Sequence, residues 1–397
     1  MNPFCSVSTT WRLSFVLCLS ASSLWAASFR ALGDLPGGDY SSQACAISGD
    51  GGVVVGISTS ALGQEAFRWT LTGGMQNLGD LAGGGFYSKA NAVSYNGDVV
   101  VGTSSSALGD EEAFRWTQAT GMTGLGGLSG GSLSRGLGVS GDGVTIVGQS
   151  VSGSGFEAFR CTSALDMRGL GDLPGDHFES GAYAASSNGS VIAGYGTGPG
   201  GDDRAHLAFR WTESGGMANL GFLAGGIGSI AYDIAADGTI VGMAYGLPEL
   251  PPPNNFTCVA FRQLPGGDMV SLGDLAGGVT DTRAFGVSGD GRTVVGYGYS
   301  DRGQEAFIWD ETHNMRSLQS VLISDYSLDL DGWRLQVAQG ISDDGMTIVG
   351  WGTNPVGQTE AWMVTLSSPQ SVPAPGAAIL AIVGCSCLAK LRRRCDL

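Results

Sequence analysis

The sequence feature that most limits the fold is a nine-residue segment at positions 48–56, which reads S-G-D-G-G-V-V-V-G. Six further copies follow it, centred on Asn96-Gly97, Asp142-Gly143, Asn188-Gly189, Asp237-Gly238, Asp290-Gly291 and Asp344-Gly345. Asp-Gly or Asn-Gly between apolar runs indicates a β-hairpin, since a two-residue type I′ turn needs positive φ at both central positions. The sequence therefore predicts seven hairpins of this type.

Each repeat contains four strand-like pieces. The first has two small residues around a variable one (44–46), and a face of small residues suits a crowded central axis. The second is the apolar run after the turn, the third is A-F-R-W (66–69), and the fourth is M-x-x-L-G-D-L (75–81). Successive fourth pieces start 45 to 52 residues apart. Four-stranded units at this period are typical of propeller blades.

The two ends of the repeat region predict how a ring would close. The fourth piece occurs seven times only if residues 29–35 are included, with Phe29 in the place of the methionine. The other three pieces also occur seven times, the last set ending at Leu366. We therefore predict an all-β fold, a seven-bladed β-propeller of four-stranded blades closed by the N-terminal strand. A stacked β solenoid is the alternative.

The chain divides into three parts. Residues 1–26 combine Arg12, an apolar stretch and small residues near Ala26, a pattern that predicts a secretory signal peptide. Residues 27–371 form the repeat domain. Residues 372–397 contain a Pro-x-Pro motif, an apolar stretch shorter than a comfortable membrane span, and Arg392, Arg393 and Arg394.

Charge and metal-ligating residues exclude several functions. The chain has 20 Lys and Arg against 36 Asp and Glu, and its two ends hold five of the basic residues but one acid. The repeat domain therefore carries a net charge of −20, which argues against nucleic acid as a partner. His177, His206 and His313 do not cluster, and Cys45, Cys161 and Cys258 follow no zinc or disulfide pattern. No cofactor is predicted, with calcium as the one metal ion that the sequence allows for.

The repeats resemble the HAF family of extracellular repeats. The likeness rests on Glu65-Ala66-Phe67, on Gly74-Met75 followed by L-G-D-L, and on the hairpin at 44–56, and it covers nearly all of residues 27–366. The family's histidine is glutamate in five copies: Glu65, Glu112, Glu157, Glu305 and Glu360. Any role of that histidine does not carry over. The resemblance implies an extracellular protein and brings no enzymatic activity.

The C-terminal segment resembles a PEP-CTERM sorting signal, with Pro373, Ala374 and Pro375 in place of Pro-Glu-Pro. That resemblance implies transient insertion into the inner membrane of a Gram-negative envelope and processing by an exosortase-like enzyme. Release from the cell or attachment to its outer surface would follow. A simple tail anchor is the alternative.

Candidate binding residues lie in three long insertions at residues 195–206, 243–258 and 324–337. A meander of four strands puts all three at the same end of a propeller, and variable loops on a rigid scaffold often carry binding sites. The candidates are Asp202, Asp203, Tyr245, Asp325, Tyr326, Asp329, Asp331 and Trp333. Tyr326 and Trp333 are predicted as exposed aromatic contacts. Asp325, Asp329 and Asp331 are the predicted calcium ligands, although a solvated acidic loop is the simpler interpretation.

No catalytic residue is predicted. The S-x-D-G turns resemble the Asp-box of sialidase propellers, but turn formation accounts for Asp50 and its equivalents. Arg68 and Asp80, each repeated in several blades, are predicted to form structural ion pairs. The sequence thus predicts an exported structural or binding protein of the cell surface or matrix, with an extracellular polysaccharide or a matrix protein as partner. A glycan-active hydrolase or lyase that uses the long-loop end is the alternative.

Overall fold

The computed structural model describes residues 27–366, except 130, 163–165, 176, 199–204 and 247–256. Within them the chain forms seven four-stranded antiparallel sheets and one helix. The innermost strands of neighbouring sheets contact one another all the way round a ring. The fold is a seven-bladed β-propeller, as the sequence predicts, and not a solenoid. The predicted signal segment 1–26 and sorting segment 372–397 lie outside the described residues.

The strands follow the chain in blade order, with the first strand of each blade nearest the axis. Blade 1 contains β2 (Gly37–Ile47), β3 (Val53–Ser60), β4 (Gly63–Thr70) and β5 (Gly74–Asn77). Blade 2 contains β6 (Ser88–Val93), β7 (Val100–Ser106), β8 (Gly109–Thr117) and β9 (Gly121–Gly124). Blade 3 contains β10 (Ser134–Val139), β11 (Ile146–Ser152), β12 (Gly155–Cys161) and β13 (Arg168–Gly169). Blade 4 contains β14 (Ser180–Ala185), β15 (Val191–Thr197), β16 (His206–Thr212) and β17 (Gly216–Asn219).

The remaining blades follow the same plan. Blade 5 contains β18 (Gly228–Ile234), β19 (Ile240–Tyr245), β20 (Cys258–Gln263) and β21 (Met269–Ser271). Blade 6 contains β22 (Arg283–Val287), β23 (Val294–Ser300), β24 (Gly303–Asp310) and β25 (Asn314–Ser317), followed by helix α1 (Leu318–Ser324). Blade 7 contains β26 (Arg334–Ile341), β27 (Thr347–Thr353), β28 (Thr359–Thr365) and the N-terminal β1 (Ser28–Gly33).

The N-terminal strand closes the ring, as predicted. β1 pairs antiparallel with β28, and Phe29 lies opposite Val364 just as Met75 lies opposite Trp69 in blade 1. The last sheet thus gains its outer strand from the other end of the repeat region.

Each junction between blades has its own hydrophobic core. Between blades 1 and 2, for example, Val53, Val55 and Ala66 pack with Ala90 and Phe114. Six further clusters occupy the other six junctions in the same way. The apolar residues are therefore divided among seven small cores, one at each junction. A single core large enough for a chain of this length would be unusual.

The glycine that ends each apolar run allows close packing behind the first strand. A Cβ atom at Gly56 would lie 2.0 Å from the carbonyl oxygen of Gln43 and 2.9 Å from the ring of Phe67. Phe67 and its counterparts in blades 2 to 6 are fully buried, and Trp362 takes the same place in blade 7. A side chain at this glycine position would push the aromatic ring out of the junction.

The hairpin turns differ from the predicted type. In the first, Gly51 N donates to Ser48 O (2.8 Å) and Gly51 alone has positive φ (+75°), while Asp50 is not among the positive-φ residues. The Asp50 carboxylate accepts bonds from the Ser48 hydroxyl (2.6 Å) and from Gly52 N (2.9 Å). The two central residues of this turn are therefore Gly49 and Asp50, and neither has positive φ, so the type I′ prediction was wrong. The same contacts explain the Ser-x-Asp spacing without chemistry.

A buried hydroxyl joins neighbouring blades at the start of the first strand. Ser88 of blade 2 donates to Gly79 O (2.6 Å) and accepts from Ala66 N (2.9 Å), both in blade 1. The same pair of bonds recurs at Ser42, Ser134, Ser180, Ser229 and Thr282. Six of the seven junctions therefore carry this contact. At the junction of blades 6 and 7 the position is Gln336.

Helix α1 fills that seventh junction. Its buried residues Leu318, Val321 and Leu322 pack in the core between blades 6 and 7. The predicted fourth strand of blade 6 forms as β25, and the helix replaces the L-G-D-L segment that follows this strand in other blades. The Ser317 side chain caps the helix by accepting from Ser320 N. In the described part of the chain, no helix is long and apolar enough to cross a membrane.

The predicted Arg–Asp pairs do not form. Arg160 and Arg262 instead reach the next blade, where they pair with Glu213 (2.9 Å) and Glu311 (2.7 Å). Asp172, which follows the last strand of blade 3, accepts from Thr197 N and from the Thr197 hydroxyl in blade 4. Both repeated positions therefore bond to residues of the next blade and not to each other.

Ser88→Ala tests the contribution of the buried hydroxyl. It leaves Ala66 N and Gly79 O without their partner, and we expect the free energy of unfolding to fall by about 1–3 kcal/mol. Denaturant unfolding of the two proteins measures the loss. Ser154→Ala, at an exposed turn residue, is the control and should change stability little. Equal stability of Ser88→Ala and wild type would contradict the role given to this hydroxyl.

Candidate functional site

A small cavity of about 170 Å³ lies on the propeller axis. Each first strand carries a bulge at its two small residues, and the variable residue between them lines the cavity. These residues are Cys45, Asn91, Leu137, Tyr183, Tyr232, Phe285 and Gln339. Three consecutive blades thus place aromatic rings on one side of the axis, and the other four blades do not.

These rings belong to a longer aromatic arc, which we define as Tyr183, Tyr195, Tyr232, Phe285 and Tyr297. Tyr232 contacts both neighbours on the axis, with centroid distances of 5.3 Å to Tyr183 and 5.2 Å to Phe285. Tyr195 lies 5.8 Å from Tyr183, and Tyr297 lies 5.7 Å from Phe285. The arc therefore runs without a break from blade 4 to blade 6.

The arc reaches the base of the two long loops of blades 4 and 5. Tyr195 lies 4.4 Å from the ring of His206, and these two residues flank the blade 4 loop. Tyr245 and Cys258, which flank the blade 5 loop, pack in one cluster with Tyr183, Tyr195 and Tyr232. The arc thus opens toward the end of the propeller that carries the long loops, which we call the loop end. The opposite end, with the Asp-Gly turns, is the turn end.

Polar groups border the aromatic rings. Gln149 Nε2 donates to the Tyr195 hydroxyl (2.7 Å), which in turn donates to Glu179 Oε1 (3.4 Å). The Arg283 guanidinium lies 5.5 Å from the Tyr297 ring centre and pairs with Asp281. Burial raises the pKa of Tyr297 to about 12, and it also raises the pKa of Tyr183, Tyr195 and Tyr232. At neutral pH the arc combines flat apolar rings with neutral hydroxyls, and its partly exposed rings are those of Tyr183, Tyr232 and Phe285.

Two carboxyl groups lie further along the axis, toward the turn end. Asp233 and Asp343 line a second cavity of about 130 Å³, together with Tyr95. Asp233 occupies a position that is Ala or Gly in the other blades, and it accepts from Ile234 N (2.8 Å) and Val287 N (3.0 Å). Burial raises the pKa of Asp233 to about 6, and it also raises the pKa of Asp343. Asp233 therefore ties blade 5 to blade 6 within the axial channel.

The structure separates the predicted site residues into two groups. Tyr245 lies beside the arc, where its hydroxyl accepts from His206 N (2.7 Å). Asp325, Tyr326, Asp329 and Asp331 lie in the loop after α1, at the junction of blades 6 and 7. Asp202 and Asp203 lie outside the described residues.

In the described chain, the predicted calcium ligands of the loop after α1 do not come together around one point. Asp325 pairs with Arg316 (2.8 Å), and Asp329 Oδ1 accepts from Asp331 N (3.0 Å). Among the described residues, no three His, Cys, Asp or Glu side chains lie close enough together to hold a metal ion. Cys45, Cys161 and Cys258 are free thiols.

Trp333 is not the exposed contact that the sequence predicts. Its side chain is 7% exposed and lies edge-on to Phe29, with ring centroids 5.1 Å apart. Trp333 packs on the apolar side of the closing strand β1 through Phe29. Its position in a long insertion gives no indication of this contact. Tyr326 is half-buried against the same cluster.

The small residues that define the first piece of each repeat do not indicate the arc. The informative residues are the variable ones between them: Tyr183, Tyr232 and Phe285 stand where other blades have Cys, Asn, Leu and Gln. Since that position faces the axis in every blade, aromatic residues in three successive repeats were the available signal.

One of the solved structures that resemble this chain supports the propeller fold. No family model matches the sequence, and no curated protein is similar to it. An oligogalacturonate lyase from Vibrio parahaemolyticus is similar in structure, with a TM-score of 0.53 and 9% identity over 86% of this chain and 98% of that one. The WD40 propeller domain of Doa1 has a TM-score of 0.44 and 11% identity, over 87% of this chain and 98% of that one.

TolB from Acinetobacter baumannii has a TM-score of 0.45 and 14% identity over 68% of this chain. The chain spans 63% of the length of that protein. At these identities the likeness concerns the propeller fold alone.

The pH dependence of stability tests the environment of Asp233. Because the folded pKa of about 6 lies above the ordinary value of 3.8, Asp233 favours folding below pH 4 and loses that contribution as the pH rises through 6. Relative to wild type, Asp233→Asn should therefore gain up to about 3 kcal/mol between pH 4 and pH 7. Urea unfolding of both proteins across this range gives the difference. A difference that does not change with pH would contradict the raised pKa.

Proposed function

We propose that this protein is exported and acts as a non-catalytic module that binds a polysaccharide of the cell surface or extracellular matrix. The observation that carries the proposal is the aromatic arc, which connects the propeller axis to the base of the two long loops. Aromatic faces beside a few well-placed polar groups are the usual composition of a small-molecule site. Rings that present an apolar face and neutral hydroxyls suit the alternating C–H and O–H groups of a sugar.

The rigidity of the scaffold supports the same function. Tyr183, Tyr232 and Phe285 sit on first strands whose positions are fixed by the neighbouring blades on both sides. A site built on strands loses little conformational entropy when a ligand binds. The loops of blades 4 and 5 begin next to these rings and can add contacts that differ between related proteins.

The export part of the proposal rests on the two ends of the sequence. The predicted signal segment would direct the chain across the inner membrane, and the Pro373-Ala374-Pro375 segment would bring it to an exosortase-like enzyme. The repeat domain, with its net charge of −20, would remain soluble among anionic surfaces.

Substitutions in the arc test the binding site. Tyr232→Leu removes the central ring and hydroxyl but keeps an apolar side chain, and we expect affinity for the bound polysaccharide to fall about tenfold or more. The control is Tyr95→Leu, at the turn end of the same axis, which should bind like wild type. Purified protein is first screened against polysaccharides by glycan array, and the affinity of each variant is then measured by calorimetry.

Three results would contradict the proposal. Loss of binding only in Tyr95→Leu would place the site at the turn end. Loss only in Tyr326→Leu would place it in the loop after α1. Release of shortened products from a bound polysaccharide would favour the glycan-active enzyme over the binding module.

Intact-mass measurement of the protein from the native host tests export and sorting. We expect the mature chain to lack residues 1–26 and the residues from about 372 onward, because the Pro-x-Pro motif, the short apolar stretch and the arginines stand together. Protein released to the medium that retains Arg392, Arg393 and Arg394 would contradict exosortase-like processing.

A further inference from the structure

Five blades carry a glutamate at the same place in the third strand, two residues before the buried aromatic residue, and four of these glutamates have local partners. Glu112 accepts from Gly126 N (3.0 Å), and Glu157 accepts from Gly171 N (3.0 Å). Glu305 accepts from the Ser300 hydroxyl (2.6 Å). Glu360 is the best satisfied of the set, with bonds from Gly33 N (3.1 Å) and Asn354 Nδ2 (2.9 Å). Each of these carboxylates accepts hydrogen bonds from its own blade.

Glu65 of blade 1 is the exception. Its side chain is 2% exposed, and its Oε2 atom is buried without a hydrogen-bond partner in the described structure. An ionised carboxylate that is removed from water and left unpaired is costly, and such groups in folded proteins normally have a partner. The partner of Glu65 is therefore expected to come from outside the chain.

Local sequence differences explain why Glu65 lacks the contacts of its counterparts. Gly124 and Gly169 lie opposite the buried Phe of blades 2 and 3, where a Cβ atom would come within 2.2 Å of Glu112 Oε1 and 2.0 Å of Glu157 Oε1. Blade 1 has Asn77 at this place. Glu65 cannot take the same path to Gly79 N past that side chain.

Blade 7, which β1 closes, shows a second hydrogen-bond partner that Glu65 lacks. There the small Ala31 takes the place of Asn77, and Glu360 still reaches Gly33 N. The Tyr40 hydroxyl also bonds to Glu360, and burial together with this bond raises the pKa of Tyr40. Tyr40 lies two positions before Ser42. The residue two positions before Ser88, at the next junction, is Phe86, which has no hydroxyl to offer Glu65.

Glu65 faces a pocket of about 620 Å³ on the loop end of blade 1. Leu35, Pro36, Leu62 and Met75 form apolar walls, and Gln76 and Asn77 add amide groups at the rim. The pocket thus combines a buried carboxylate oxygen, further oxygen acceptors and an apolar lining. An ammonium group has three N–H donors and needs acceptors arranged in this way, and its charge would balance that of Glu65.

We propose that this pocket binds a primary ammonium group on an alkyl stem, the chemistry of a lysine side chain of a partner protein. The ammonium would bond to Glu65 Oε2 with the amides of Gln76 and Asn77 at its sides, and the stem would lie along Leu62 and Met75. The strong negative charge of the repeat domain would attract such a cationic partner over a distance. This site is separate from the aromatic arc and does not depend on the polysaccharide proposal.

The test uses n-butylammonium as the probe with the full chain. We expect Glu65→Gln to bind it about tenfold or more weakly than wild type, since the charge-assisted bond is lost. Glu112→Gln is the matched control, because it makes the same change at a carboxylate that already has a partner, and its affinity should equal that of wild type. Removing an unpaired buried charge should also leave Glu65→Gln at least as stable as wild type without ligand, so a folding defect would not explain the loss.

A second variant tests the cause while keeping the carboxylate. Asn77→Gly should open the path that Glu112 uses in blade 2, so that Glu65 can accept from Gly79 N and butylammonium affinity falls. Equal affinity in wild type, Glu65→Gln and Asn77→Gly overturns the proposal, as does neutral n-butanol that binds as tightly as butylammonium. Tighter binding of glucosamine than of butylammonium would assign the pocket to an amino sugar and overturn the lysine-like ligand.

Discussion

The hydroxyl near the start of the first strand, present at six of the seven junctions, is the contact on which the ring most depends. Ala66 O accepts from Leu78 N, so the N–H of Ala66 points to the same side, where the short fourth strand has already ended. Ser88 of the next blade meets that N–H. Because the seven sheets are separate, such contacts hold one blade to the next together with the apolar cores and the bonds that Arg160, Arg262 and Asp233 make to the following blade. The buried backbone N–H of Ala66 thus forms a hydrogen bond that links two neighbouring sheets.

Much of the fold follows from local sequence because each blade is one repeat. The four pieces, their order and the count of seven could all be predicted, since turn chemistry and apolar runs act within about 50 residues. The closing role of residues 29–35 was predictable for the same reason: a lone fourth piece at one end matches a missing one at the other. The residue that forms the Ser88 contact is also repeated, but a serine near a small residue does not by itself indicate a hydrogen bond to the neighbouring blade.

The candidate site was harder to predict because it depends on which blades are neighbours. Tyr183, Tyr232 and Phe285 are about 50 residues apart, and only the ring brings them into contact. Trp333 shows the opposite error, where an aromatic residue in a long insertion looks exposed until β1 from the far end of the chain packs against it. Glu65 could be recognised only by comparing blades, since its sequence context resembles that of Glu112 and its missing partners lie elsewhere.

The pairing of β1 with β28 has a consequence for how the protein assembles. Gly33 N and Glu360 Oε1 are 327 positions apart, whereas the strands of the other sheets meet within one repeat. Bringing such distant segments together costs chain entropy, which favours early formation of the six local blades and late closure of the seventh. Until then β28 is an open edge that a strand from another copy could occupy. The seam at β1 is therefore where the folding of this chain competes with its aggregation.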